Sequence, residues 1–240
     1  MNENMIKIKN VKKTGIKKTI CEGIFADIYL LKNGQKFKEY KESIRDISYE
    51  YHHVPKRIEK SLYRQVELVK NEIYSFPRKI VLNGNQICGY LAQYEKGEHF
   101  DKIDETLKLE LLLKMIEKLE DETINITELG LLIQDIQSQN ILIFSSILKV
   151  IDTDYYYFPT DKTYTEILKM NIREIFINII HILLPSLVLG NIWDNQTQKL
   201  YNDVCYNKMK ITSFLEYVIE KSGLIIDSDN IKTLRKKITL

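Results

Sequence analysis

Two Asn-Gly pairs, Asn33-Gly34 and Asn83-Gly84, constrain this chain more than any other feature. Asn-Gly between β-rich runs signals a two-residue hairpin, because both residues accept the positive φ that the favoured turn needs. The first pair links the run through Ile24 and Ile28–Leu31 to Lys36–Tyr40. Residues 5–20 alternate loosely between apolar and basic, so the first 41 residues read as an antiparallel meander of strands. The second pair links Lys79–Leu82 to Ile87–Gln93. Between the hairpins the period changes. Ile58, Leu62, Val66, Val69 and Ile73 recur at helical spacing, which predicts an amphipathic helix over 56–76 that Phe76-Pro77 ends.

Beyond Gly97 the pattern is helical. Leu107, Leu111, Leu112, Met115, Ile116 and Leu119 form one stripe, and Ile172–Leu184 is apolar nearly all round. Two short runs, Ile141–Phe144 and Leu148–Ile151, predict a small hairpin, and helices are expected at 194–207, 212–222 and 228–238. This is an α+β chain with a boundary near 94–98: a β-rich part over 1–95 with one main helix, and a mainly helical part over 96–240.

Composition excludes several classes. Lys plus Arg is 35 against 33 Asp plus Glu in 240 residues, too small an excess for a dedicated nucleic-acid binder. Cys21, Cys88 and Cys205 are too few and too scattered for a disulfide framework or zinc knuckle. The basic N-terminal run has no apolar core of a signal peptide, and Ile175–Leu189 is interrupted by Asn178, His181 and Pro185, so no membrane span is expected. A cytoplasmic protein is the expectation. His52-His53 reads as a surface loop rather than a metal site.

The chemistry-bearing segment is Leu131–Ile143. Asp135 stands five residues before Asn140, which opens an apolar strand, and a second apolar strand ends in Ile151-Asp152-Thr153-Asp154. A hairpin of the two strands brings Asn140 and Asp152 to one end. Two hard oxygen ligands there, with a carboxylate upstream, suit Mg²⁺ and phosphate chemistry.

These residues resemble the protein kinase family, whose catalytic loop is H-R-D-x-x-x-x-N and whose metal motif is D-F-G. Asp135 and Asn140 keep the D-x-x-x-x-N spacing, and Asp152 takes the place of the D-F-G aspartate. Gly23-Ile24-Phe25-Ala26-Asp27-Ile28-Tyr29 looks like the second half of a glycine-rich loop, with Cys21 and Ala26 at glycine positions. Lys38 lies where the phosphate-binding lysine is expected, with Lys36 and Lys41 as competitors; strand parity favours Lys38 or Lys36. Glu67 is the helix glutamate expected to pair with it, with Glu59 and Glu72 as alternatives. Gln93, Tyr94 and Glu95 fall in the hinge whose backbone would meet an adenine ring.

The resemblance implies a two-lobed kinase-like fold with ATP and Mg²⁺ bound between the lobes. Its implied function is an ATP-dependent phosphotransferase, of the atypical Ser/Thr protein kinase kind. Lys38 and Glu67 would position the phosphates, Asn140 and Asp152 would hold Mg²⁺, and Asp135 would orient the acceptor hydroxyl. Ile133 and Gln134 replace the histidine and arginine of H-R-D, Asp154 replaces the D-F-G glycine, and no A-P-E follows. Two rivals stay open: a small-molecule kinase resembling the aminoglycoside phosphotransferases, and a pseudokinase scaffold.

Overall fold

The computed structural model describes residues 3–41, 61–68, 71–187 and 190–239. The first turn of the expected 56–76 helix, Glu59, Val69 and His52-His53 lie outside them. The chain forms two compact units. The first holds Met1–Lys96 together with Asp152–Tyr157, and the second holds Gly97–Ile151 and Phe158–Leu240.

The first unit is built on a six-stranded sheet. Its strands are β1 (Met5–Lys7), β2 (Ile16–Glu22), β3 (Ala26–Leu31), β4 (Gln35–Tyr40), β5 (Lys79–Asn83) and β6 (Gln86–Gln93), in the spatial order β1-β5-β6-β4-β3-β2. Both Asn-Gly pairs close antiparallel hairpins, β3–β4 and β5–β6. The register sets Lys38 opposite Ile28 on one side and Tyr90 on the other. Gly89 permits this pairing, since a Cβ there would lie 2.0 Å from the Lys38 carbonyl oxygen.

Alternation divides β4 between two faces. Phe37 joins Val11, Leu31, Val81, Cys88 and Leu91 on one. Tyr40 joins Ala26, Leu62, Val66, Ile80, Tyr90 and Ala92 on the other.

Two parts of the expected meander and helix differ. Residues 5–20 are not all strand: α1 (Ile8–Thr14) intervenes, packs Val11 into the sheet and ends at Gly15, whose φ is 79°. Basic residues between widely spaced apolar ones fit either period, and burial of Val11 selects the helix. The 56–76 helix ends early. Residues 61–65 are helical, and the chain has left the helix by Asn71, whose side-chain oxygen accepts from the amides of Ile73 and Tyr74. That local bond competes with the helical ladder.

The second unit packs α2 (Leu109–Glu128) against α3 (Tyr164–Leu183), followed by α4 (Asn195–Cys205), α5 (Ile211–Lys221) and α6 (Ile231–Thr239). A small sheet of β7 (Glu98–His99), β8 (Ile141–Phe144) and β9 (Ile147–Val150) carries the expected hairpin. α3 begins eight residues before Ile172, because Thr163 and Glu166 form a reciprocal capping box. Among the described residues, no helix is long and apolar enough to cross a membrane.

Candidate active site

β4 points Lys36, Lys38 and Tyr40 from one face, as alternate residues of a strand must. Both lysines are buried, at 6% and 7% exposure. A buried ammonium needs an anion, and the segment that follows β9 supplies two.

Asp152 sits in the left-handed region with φ 60°, and a single 3-10 turn, Thr153–Tyr155, comes next. Lys36 Nζ donates to Asp152 Oδ1 at 3.1 Å. Lys38 Nζ lies 3.0 Å from Asp154 Oδ1 and 3.4 Å from Asp152 Oδ2. Asp154 is fully buried and also accepts from the hydroxyls of Tyr40 at 2.9 Å and Tyr90 at 3.3 Å. Two lysines thus face two aspartates, and among the described residues Asp154 takes three donors while Asp152 takes lysines alone.

Electrostatics follow the geometry. Burial alone would raise the Asp152 carboxyl, but Lys36 and Lys38 outweigh it and hold the group down at about 2. Burial would lower the Lys38 ammonium, yet Asp154 and Asp152 push it upward. Burial and the Asp154 charge raise the Tyr40 and Tyr90 hydroxyls well above their usual range, so both remain donors.

The segment is anchored from the helical residues 61–65. The Ser61 hydroxyl and Gln65 Nε2 both donate to the Tyr156 carbonyl oxygen, the latter at 3.0 Å. Thr153 Oγ1 donates to the Ser75 carbonyl at 3.3 Å.

In the second unit, Leu131, Leu132, Ile133 and Ile136 are buried while Asp135 is exposed with φ 58°. The Asn140 side chain donates to the Asp135 carbonyl at 3.0 Å, and Gln137 Nε2 donates to Asp135 Oδ1 at 2.8 Å. The D-x-x-x-x-N spacing therefore closes a loop on itself and projects the Asp135 side chain outward. The Asn140 carbonyl accepts from Ile151 N at 2.8 Å. Fully buried Asn171 on α3 holds the loop from below: its Oδ1 accepts from Ile133 N at 2.7 Å, and its Nδ2 donates to Leu131 O at 2.9 Å and Thr127 Oγ1 at 2.8 Å.

The other expected residues fall as follows. Gly23 turns the chain from β2 to β3, donating to Ala26 O at 3.0 Å, and a Cβ there would meet that oxygen at 2.8 Å. Phe25 is 49% exposed, whereas Ala26 belongs to the core cluster of the sheet. Gln93 ends β6 and accepts from Arg78, and Tyr94 and Glu95 are half-buried beyond it. Glu67 is exposed in the turn after residues 61–65, and Glu72 lies past the helix, while Lys38 pairs with Asp154 and Asp152. Lys41 points away to Asp27 at 3.5 Å.

Residue spacing does not reveal the partners of Asp154, Asn171, Ser61 and Gln65. One signal did exist: Asn171 is a polar residue on the apolar stripe of Ile167, Ile172 and Ile175.

The donor chemistry fits a hard cation with phosphate. Among the described residues no cluster of three or more His, Cys, Asp or Glu could hold a metal by itself. Magnesium, however, takes one or two carboxylates and completes its shell with water and phosphate oxygens. Asp152, ionised and with its side chain 23% exposed, suits that role, whereas Asp154 is fully buried and engaged by three donors.

No family model matches the chain, and no curated protein matches it by sequence. Among solved structures, the PknI kinase domain of Mycobacterium tuberculosis is similar in fold. Its TM-score is 0.60 at 10% identity, over 86% of this chain and 95% of that domain. The six-stranded sheet followed by a helical unit is a protein-kinase-like α+β fold.

Proposed function

We propose that this chain is an ATP- and Mg²⁺-dependent phosphotransferase acting on a hydroxyl group. The observation that carries the reading is the inward pair Lys36 and Lys38 set against an ionised, reachable Asp152 within a kinase-like fold. Phosphoryl transfer asks a protein for positioning and charge neutralisation rather than covalent chemistry. Bound MgATP would supply the phosphoryl group and the cation that offsets its charge.

The chain's own residues divide the remaining work. Lys38 supplies a fixed positive charge toward the phosphates. Asp152 and Asn140 are the oxygen donors that would hold Mg²⁺. The turn at Gly23, with the exposed ring of Phe25, would cover the phosphates, and the backbone of Gln93, Tyr94 and Glu95 would take the base. Asp135, outward-facing in its left-handed conformation, would orient the acceptor hydroxyl and take its proton. Its loop is preset by Asn140 and Asn171, so little reorganisation is needed at the moment of reaction.

A Ser or Thr hydroxyl of a protein is the first acceptor. One observation favours a small-molecule acceptor instead: α3 starts at Tyr164, so only Tyr156–Thr163 separates the 3-10 turn from it. That leaves little chain for a peptide platform. Incubation with labelled ATP and Mg²⁺, first with a cell lysate and then with amino sugars and nucleosides, separates the two.

Asp135→Ala and Asp152→Ala are both expected to abolish turnover. Unchanged turnover in both variants would sink the assignment. Failure of ATP to raise the thermal midpoint in the presence of Mg²⁺ favours the scaffold reading.

A further inference from the structure

We infer that Lys36 is a second phosphate-binding cation, released to the nucleotide when Asp152 becomes a metal ligand, while Lys38 stays committed to Asp154. The inference deepens the phosphotransferase reading and rests on it.

The asymmetry of the four charges carries it. Lys38 has two carboxylates within reach, at 3.0 and 3.4 Å, and the nearer belongs to fully buried Asp154. Asp154 is itself pinned by Tyr40 and Tyr90, whose hydroxyls stay protonated. Lys38 therefore keeps a buried counter-ion, Asp154, when Asp152 turns to a cation. Among the described residues Lys36 has one carboxylate, Asp152, at 3.1 Å, and Asp152 is the reachable member of the pair, 23% exposed.

A divalent cation binds a carboxylate oxygen at about 2 Å. An ammonium resting 3.1 Å from Oδ1 of the same carboxylate is then repelled by the cation and loses its one carboxylate partner among the described residues. A buried ammonium does not remain unpaired. The anion that arrives with the cation is phosphate. Lys36 and Lys38 are two residues apart on one face of β4, so both project toward the same side of the sheet.

The charges then settle in a definite way. Lys38 keeps Asp154 as its counter-ion and stays the fixed charge beside the phosphates, Asp152 is taken up by the metal, and the Lys36 charge is freed for the phosphates as well. A single lysine tied to a helix glutamate would have no such spare cation.

The test is calorimetric titration of the full chain with MgATP and with adenosine. Lys36→Met is expected to weaken MgATP by about tenfold or more, the worth of one charge-assisted contact. It leaves adenosine, which has no phosphate, within about twofold of the parent, which also shows that the fold survives. Lys36→Arg keeps most of the MgATP affinity.

Equal MgATP affinity in Lys36→Met and the parent overturns the inference and leaves the phosphotransferase reading standing. So does an equal loss of adenosine and MgATP, which would mark Lys36 as structural. If the parent itself binds no MgATP, the phosphotransferase reading fails and the inference with it. Should Lys36→Met not fold, Lys36→Gln, which keeps a donor for Asp152 without the charge, carries the same comparison.

Discussion

Replacing Asp154 by alanine should cost more stability than any other single change near the candidate site. The carboxylate is fully buried and accepts from Lys38 at 3.0 Å, Tyr40 at 2.9 Å and Tyr90 at 3.3 Å. Removing one partner of a buried ion pair costs about 3–5 kcal/mol, because the other charge stays behind. Here Lys38 keeps a poorer share of Asp152 at 3.4 Å, in competition with Lys36.

Two buried phenol hydroxyls lose their acceptor as well, at about 1–3 kcal/mol each if nothing replaces it. Water entering the vacated space recovers part of that, so the terms do not add fully. The expected total is about 4–6 kcal/mol, a large fraction of the 5–15 kcal/mol (about) that holds a typical domain together.

The assay is urea unfolding followed by circular dichroism, with hydrogen exchange at the β4 amides. Tryptophan fluorescence is the wrong probe, since the one tryptophan, Trp193, belongs to the second unit. Asp154→Asn keeps an oxygen for one tyrosine and should cost less than alanine. The double variant Lys38→Met with Asp154→Leu removes both charges together and should cost less than Asp154→Ala alone. A loss below about 1 kcal/mol for Asp154→Ala, or a double variant whose cost equals the sum of its singles, refutes the reasoning.

Two further outcomes concern the loop and the acid limb. Asn171→Leu keeps the volume but strands Ile133 N and Leu131 O inside the second unit, so it should cost about 2–4 kcal/mol; hydrogen exchange at Ile133 as slow as in the parent would contradict this. The Asp152 carboxyl is depressed in the folded state, from 3.8 to about 2. Its contribution, about 2 kcal/mol, is therefore complete above the unfolded value and lost as pH falls from about 5 toward 2. Asp152→Asn should flatten the acid limb of the urea-stability profile by that amount, and an acid limb identical to the parent's would show that the lysines do not hold the group down.

The hairpins at Asn33-Gly34 and Asn83-Gly84, the helical character beyond Gly97 and the D-x-x-x-x-N loop were legible from residue order, because each depends on contacts a few residues apart. Strand parity also narrowed the lysine to Lys36 or Lys38. It did not separate them, since alternate residues share a face and the sheet turns both inward. Their partners lie 116 residues away in the chain, and no spacing rule reaches that far.

Asp154 stands in sequence where the resemblance expects the D-F-G glycine, whereas the fold uses it as the anion for Lys38. The helix expected over 56–76 is present at 61–65 and ends early. Its apolar period continues through Ile73, but by then the side chain of Asn71 holds the amides of Ile73 and Tyr74 in a local turn. Sequence thus determined the two hairpins, the helical character beyond Gly97 and which loop carries Asp135 and Asn140, through local propensity and period. Tertiary structure alone decided which carboxylate each buried lysine meets, because charge pairing in a core is settled by what the completed fold brings within about 3 Å.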